Sequence, residues 1–302
     1  NVGPYKNGEL DKEVVSGKDL TLTIDYDLQR IAEEMLVNKH GAIVALDPNN
    51  GEILVLATGP DIDPNLFTGP NKKRNIYRLA NDTIYDNKPT YDRSVQAAYP
   101  PGSPFKLLTA LAGYQMKVIS DSTKFTCRHG YRMGRHTIGC HCGTFWPIGM
   151  EKAIEKSCNN YFSSVYYKIT EKYGPKGRNR AIDEWKEIMN SFGLGEFMNN
   201  DLAVGAKGKI PSGEFYTKRL GEKWHPYQSA IFNGMGQGDV LLTPLQMANF
   251  TAAIVNRGWY FTPHIVKSID GKPNPDERFK KKHVTKVEPR YFDVVLKGMK
   301  DV

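Results

Sequence analysis

A chain of 302 residues that is 40% hydrophobic, 11% aromatic and 25% charged has the composition of an ordinary globular protein, one large domain or two small ones. No run approaches the roughly 20 apolar residues of a membrane span. With 41 basic and 33 acidic residues the net charge is +8, dispersed apart from Lys280-Lys281-Lys282; this argues against nucleic-acid recognition, for which no basic, aromatic-bearing face is present, and leaves a solvated surface or attraction to lipid headgroups or a polyanionic wall.

Residues 1–18 are polar and glycine-bearing and read as a linker from an upstream region, leaving 19–302 as one domain. Leu20-Thr21-Leu22-Thr23-Ile24 alternates as a strand does. Asp25 is placed to cap a helix in which Leu28, Ile31, Ala32, Met35 and Leu36 form an apolar stripe. Gly41–Leu46 is a buried-strand pattern, Asp47-Pro48-Asn49-Asn50-Gly51 is a turn by composition, and Glu52–Ala57 returns, which predicts a hairpin. Asp25, Asp27 and Asp47 are therefore caps and turn formers rather than catalytic acids. Residues 58–98 are rich in Pro, Asn, Asp and Gly and are expected to form a long surface loop.

That loop leads to Tyr99-Pro100-Pro101-Gly102-Ser103-Pro104-Phe105-Lys106. Two prolines and a glycine interrupt regular structure, and Pro104 suits a first helical position, where its missing N–H has no partner to lose. Leu107–Ala112 is apolar and reads as a buried helix. Ser103 thus opens a helix, with Lys106 one turn on and close to the same face. An amine on an apolar wall loses solvation, its pKa falls, and it can take a proton from a neighbouring hydroxyl. The first N–H groups of the helix are suited to hold the oxyanion that develops. Alone, Ser-x-x-Lys is as readily a helix cap beside a lysine; the rest of the chain decides.

Residues 120–148 are irregular. Helices are expected at about 150–168 and 178–192, and 200–225 reads as loop. Ser157-Cys158-Asn159 falls within the first helical pattern, but a Ser and an Asn two apart share no helix face, so the triplet is expected at a helix end or short loop beside a cleft. A second hydroxyl near Lys106 can relay a proton to a leaving amine, and an Asn side chain can bind a substrate amide through donor and acceptor at once. Gly234-Met235-Gly236-Gln237-Gly238-Asp239 is glycine-rich but lacks the Gly-Lys-Ser/Thr of a phosphate loop. Thr243 then caps, and Pro244 begins, an apolar helix ending near Gly258.

Ser103-x-x-Lys106 and Ser157-x-Asn159, in this order and 54 residues apart, resemble the first two motifs of penicillin-binding proteins and β-lactamases. Tyr91–Gln96 running into Tyr99–Ser103, the strand pair Gly41–Ala57, and Asp25–Gln29 before it resemble class B penicillin-binding proteins. Gly236-Gln237-Gly238 with Thr243–Ala248 resembles their elongation-type branch, penicillin-binding protein 2. The family's third motif, Lys-Thr-Gly, is absent from the 302 residues. In the family it follows the stretch matching Tyr291–Val302, so the domain is expected to be truncated before it; the alternative is a chain that has lost the motif and most activity.

The resemblance implies an α/β (α+β) fold of the penicillin-binding protein and β-lactamase type, a mostly antiparallel central sheet flanked by helices. It implies that Ser103 attacks the penultimate D-alanine of a peptidoglycan stem peptide, that Lys106 is the general base, that Ser157 relays protons, that Asn159 holds the substrate peptide, and that the Ser103 N–H is half of an oxyanion hole. β-Lactams would acylate Ser103. The implied function is peptidoglycan D,D-transpeptidation during cell elongation, with a glycosyltransferase and elongation-complex proteins as partners. An upstream anchor would hold the protein in the inner membrane, with this domain in the periplasm. The rivals are a serine β-lactamase or carboxypeptidase, which deacylates with water, and a non-catalytic β-lactam sensor or scaffold.

Cys127, Cys140, Cys142 and Cys158 fall within 32 residues, and the chain has no other cysteine. They fit a closed tetrahedral zinc site, which is structural rather than catalytic. Residues 120–148 have too little apolar content to order themselves, and a metal would supply what is missing. Two disulfides suit an exported protein, and four unrelated thiols are the third reading. The resemblance favours zinc, since some elongation-type members carry one here with a ligand inside the second motif. Cys142 is the expected fourth ligand in preference to His141, and His129 and His136 are expected to be solvated.

Overall fold

The computed structural model describes residues 15–81, 88–143 and 145–302; most of the 1–18 segment lies outside the described residues. β1 (Leu20–Leu22) is shorter than the expected strand and pairs antiparallel with β9 (Val266–Ile269), to which β10 (Lys272–Pro273) adds. Thr23 turns the chain inward, its hydroxyl donating to the Ile53 carbonyl at 2.6 Å. Asp25 caps α1 (Tyr26–Leu36), accepting from the Leu28 N–H at 3.0 Å.

β2 (Gly41–Leu46) and β3 (Ile53–Gly59) form the expected hairpin, its turn held by the Asn49 N–H donating to Asp47 Oδ1 at 2.9 Å. Val55 and Ala57 of β3 pack on Ala32 and Leu36 of α1. Gln29 clasps the strand from α1, donating to the Leu56 carbonyl at 3.1 Å and accepting from the Leu56 N–H at 2.8 Å. On the opposite face, Ala42, Val44 and Leu46 meet Met247 and Ala248 of α8 (Pro244–Val255). Thr243 and Gln246 close a capping box at the start of α8, as its sequence predicts.

α3 (Lys106–Gln115) runs through the core, with Leu108 to Tyr114 all buried. It is flanked by α5 (Asn159–Thr170), α6 (Arg178–Asn190) and α9 (Arg290–Lys300). Gly113 lets α3 and α5 approach, since a Cβ there would lie 2.7 Å from Val165 Cγ1. Phe105, just ahead of α3, sits edge-on to Trp185 of α6 with ring centroids 6.3 Å apart. Together these fix α3 against α5 and α6.

Several stretches differ from expectation. The supposed loop 58–98 contains a 3₁₀ turn (Pro64–Phe67) and α2 (Lys72–Ala80), tied by the Asn75 side chain donating to the Leu66 carbonyl at 3.1 Å; part of it, 82–87, lies outside the described residues. α2 buries none of its residues, and its apolar face is the short set Ile76, Tyr77, Leu79 and Ala80 in an otherwise polar stretch. Residues 120–148 form two short antiparallel ribbons, β4 (Phe125–Thr126) with β7 (Pro147–Ile148) and β5 (Gly130–Met133) with β6 (His136–Gly139). The helix expected at 150–168 is two, α4 (Met150–Glu155) and α5, broken at Lys156–Cys158. Residues 200–225 include α7 (Gly213–Leu220), capped by Ser212. β8 (Trp259–Phe261) pairs with β11 (Lys282–Val284). Among the described residues every strand ladder is antiparallel, in separate small sheets, and no helix is long and apolar enough to cross a membrane.

Candidate active site

Gly102, at φ +66°, turns the chain into a single 3₁₀ turn (Ser103–Phe105) that runs directly into α3. Phe105, fully buried, anchors that turn, so Ser103 stands exposed while Lys106, 3% exposed, points inward. The second motif is delivered by a helix stop. The Cys158 N–H donates to the Ala153 carbonyl and the Ser157 N–H to the Ile154 carbonyl, both at 2.9 Å, which is a Schellman ending to α4. Ser157 occupies at φ +46° the position glycine usually takes. A non-glycine residue held there stores about 1 kcal/mol or more of backbone strain. Asn159 then begins α5.

All four residues singled out from the sequence converge on one point. Lys106 Nζ lies 3.2 Å from Ser103 Oγ, 2.8 Å from Ser157 Oγ, 2.8 Å from the Ser157 carbonyl oxygen and 2.7 Å from Asn159 Oδ1. The two serine hydroxyls are 3.0 Å apart. Burial lowers the Lys106 amine from 10.5 to about 8. An exposed hydroxyl beside a buried, easily deprotonated amine is the geometry of an activated nucleophile. Asn159 differs from expectation: both ends of its side chain are engaged within the protein, Oδ1 with Lys106 and Nδ2 donating to the Gly139 carbonyl at 2.9 Å.

Beside this point, the four cysteine Sγ atoms lie within 4.8 Å of one another, all buried, with no bond between them. Cys140 and Cys158 Sγ are 3.8 Å apart, and Cys140 Sγ accepts from the Asn159 N–H at 3.2 Å. Burial and the crowding of neighbouring thiols push Cys127 up to about 12, and Cys158 is raised as well. His141 is exposed and outside the cluster.

A sequence profile described as the penicillin binding protein transpeptidase domain matches residues 41–302. The chain belongs to the penicillin-binding protein transpeptidase family. The peptidoglycan D,D-transpeptidase MrdA of Acinetobacter baumannii is 35% identical over 268 residues, covering 86% of this chain and 37% of that protein. The chain therefore spans well under half the length of that relative. A crystal structure of Pseudomonas aeruginosa PBP2 in complex with WCK 5153 matches at a TM-score of 0.78 and 33% identity, over 94% of this chain and 62% of that one. A chain from a structure of a peptidoglycan synthase complex that coordinates polymerization and crosslinking matches at 0.77 and 30%, over 94% and 49%. The mixed α/β transpeptidase fold expected from the sequence is thereby established, with the expected antiparallel sheet present among the described residues as separate small sheets.

Within this transpeptidase domain two contributors escaped the sequence reading. Gly139 acts through its carbonyl, and a backbone oxygen carries no residue-type signal. Gly236 accepts from the Gly102 N–H at 2.8 Å, directly beneath the turn that presents Ser103; its glycine-rich surroundings were visible, its destination was not.

Proposed function

We propose that the chain is the catalytic domain of a peptidoglycan D,D-transpeptidase of the cell-elongation type, acting through an acyl-enzyme on Ser103. One observation carries this reading: a buried lysine amine sharing hydrogen bonds with two hydroxyls, one of them exposed at a helix start. Ser103 Oγ bonds to the carbonyl carbon of the penultimate D-alanine of a stem peptide, and its proton passes to neutral Lys106. The carbonyl electron pair moves onto oxygen, where the Ser103 N–H supplies one hydrogen bond. Collapse of the intermediate breaks the C–N bond, and the departing D-alanine amine takes its proton from Lys106 through Ser157. An amine of a second stem peptide then attacks the ester, its proton returning by the same route, and Ser103 is released. β-Lactams acylate the same oxygen when their strained amide opens.

The thiol cluster supports a structural zinc ion held by Cys127, Cys140, Cys142 and Cys158. Four soft donors converge in a closed, buried site, the donor set and geometry that zinc takes when it is structural. Such an ion would cross-link the two ribbons to the start of α5. The likeness to a chain of a peptidoglycan synthase complex that coordinates polymerization and crosslinking supports a polymerizing partner, a glycosyltransferase in this reading. An upstream membrane anchor, with this domain on the periplasmic side of the inner membrane, follows from the same reading.

In the full-length protein, fluorescent penicillin is expected to label the wild type covalently, with the adduct on the peptide bearing Ser103, and to leave Ser103→Ala unlabelled. Labelling of Ser103→Ala at the wild-type rate would overturn the assignment. With a D-Ala-D-Ala pentapeptide and an amine acceptor, transfer product is expected; hydrolysis product alone would indicate a carboxypeptidase instead.

A further inference from the structure

The turn that presents Ser103 rests on a segment more than a hundred residues later. Gly236 adopts the left-handed conformation at φ +69°, and a Cβ there would lie 2.2 Å from the Gly102 carbonyl oxygen and 2.6 Å from Phe105 Cβ. The Gly102 N–H donates to the Gly236 carbonyl at 2.8 Å. On either side, Tyr99 and Leu242 exchange hydrogen bonds at 2.9 and 2.8 Å, and Thr109 of α3 donates to the Gly234 carbonyl at 3.0 Å. The height of the nucleophile turn is therefore set by where residues 234–242 lie.

What holds that segment is a buried polar cluster. Asn233, fully buried, accepts the Asp239 N–H on Oδ1 at 3.0 Å, which closes the glycine loop upon itself. Its Nδ2 donates to Tyr216 Oη at 2.6 Å and lies 3.2 Å from Tyr166 Oη. Tyr216 in turn donates to Asp239 Oδ2 at 3.2 Å, and Arg219 pairs with Oδ1 of the same carboxylate. Tyr166 belongs to α5, whose first residue is Asn159; Tyr216 and Arg219 belong to α7. The cluster thus ties the loop beneath Ser103 to the helix that carries Asn159. Buried networks of this kind hold one geometry when complete and leave costly orphans when broken.

We infer that Asp239, with Asn233 and Tyr216, is a positioning residue for acylation: it sets the Gly236 shelf on which the Ser103 turn sits. None of the three touches the reacting atoms, so they act through the Gly102–Gly236 contact. The inference rests on the acyl-enzyme reading above. A small displacement of a nucleophile costs rate far more than it costs binding.

The test is stopped-flow acylation of the full-length protein by a chromogenic β-lactam, resolving the non-covalent dissociation constant from the acylation rate constant. Asp239→Ala is expected to lower the rate constant about 10-fold while the dissociation constant stays within about twofold. Asp239→Asn, which keeps an acceptor for Tyr216, is expected to recover most of the rate. Val295→Ala in α9, a buried apolar truncation, serves as the control for lost stability and is expected to acylate at the wild-type rate. An unchanged rate in folded Asp239→Ala, or an equal loss in Val295→Ala, overturns the inference. Should Asp239→Ala fail to fold, Tyr216→Phe removes a single hydroxyl and is judged by the same two criteria. Loss of Ser103-dependent labelling in the wild type sinks the acyl-enzyme reading itself, whereas unchanged variants sink only the positioning role.

Discussion

If Lys106 is the base, acylation must follow the protonation of one amine. Its fall from 10.5 to about 8 corresponds to about 3 kcal/mol of preference for the neutral form, caused by burial. At pH 7 about one lysine in ten is then neutral, and at pH 6 about one in a hundred. The second-order acylation rate, which reports the free enzyme, is expected to climb about tenfold from pH 6 to 7, to bend near pH 8 and to be flat by pH 9. The assay is covalent labelling with a β-lactam that has no group titrating in this range. Lys106→Met is expected to lose about 10³-fold and to show no such slope. Stability carries the same signature. Between about 8 and 10.5 the unfolded chain keeps the proton that the folded chain has released, so the unfolded state binds more protons and folding stability rises with pH across that window. A rate independent of pH from 6 to 9, or one bending only near 10.5, would refute the role given to Lys106.

Asn159→Asp places a carboxylate 2.7 Å from Nζ; it is expected to hold the ammonium, shift the bend of the pH profile upward and cut acylation at pH 7 about tenfold or more. Ser157→Gly relieves a residue at φ +46° and is expected to raise the melting temperature, by about 1 kcal/mol of stability, while acylation falls; a lower melting temperature would contradict the strain. Elemental analysis is expected to find one zinc per wild-type chain and little in Cys158→Ser, whose melting temperature should fall as it does on chelation; metal-free wild type with the same stability would dismiss the zinc.

The convergence of the four site side chains was legible because the proposed chemistry is carried by residue types at short spacings. Ser103, Lys106, Ser157 and Asn159 each need a particular side chain, and the Pro-Pro-Gly before Ser103 announced the turn. The hairpin Gly41–Gly59 was legible for a similar reason, an apolar run, a Gly and Asn turn, and a second run. What stayed hidden was structure made by backbone or by partners distant in sequence. α2 has Ile76, Tyr77, Leu79 and Ala80 at helical spacing but only nine residues and none of them buried, so its short signal was lost in a polar stretch. The break between α4 and α5 was legible only in part: the Ser157–Asn159 spacing pointed to a helix end, but the Ser157 conformation that makes it, one serine rarely takes, left no sign in the helical pattern running through it. The ribbons at 125–148 are only two to four residues long per strand, too short for an alternation to register.

The surroundings of Nζ also decide which way the amine faces. A neutral amine has two N–H groups and one lone pair. Two of its four oxygen neighbours, Asn159 Oδ1 at 2.7 Å and the Ser157 carbonyl at 2.8 Å, can only accept. The orientation of the Asn159 amide is itself fixed, because Nδ2 donates to the Gly139 carbonyl at 2.9 Å and leaves Oδ1 toward the lysine. These two carbonyl oxygens therefore take the two N–H groups. The lone pair is left on the side of the hydroxyls, Ser157 Oγ at 2.8 Å and Ser103 Oγ at 3.2 Å, which are free to donate. The ammonium, by contrast, spends its third N–H on that same side and offers no base. Ser157 lies nearer the amine than Ser103 does and within 3.0 Å of it, so the proton has both a direct path and one through Ser157. On the acyl-enzyme reading, Asn159 would aim the base, and the ribbon carbonyl of Gly139 would aim Asn159.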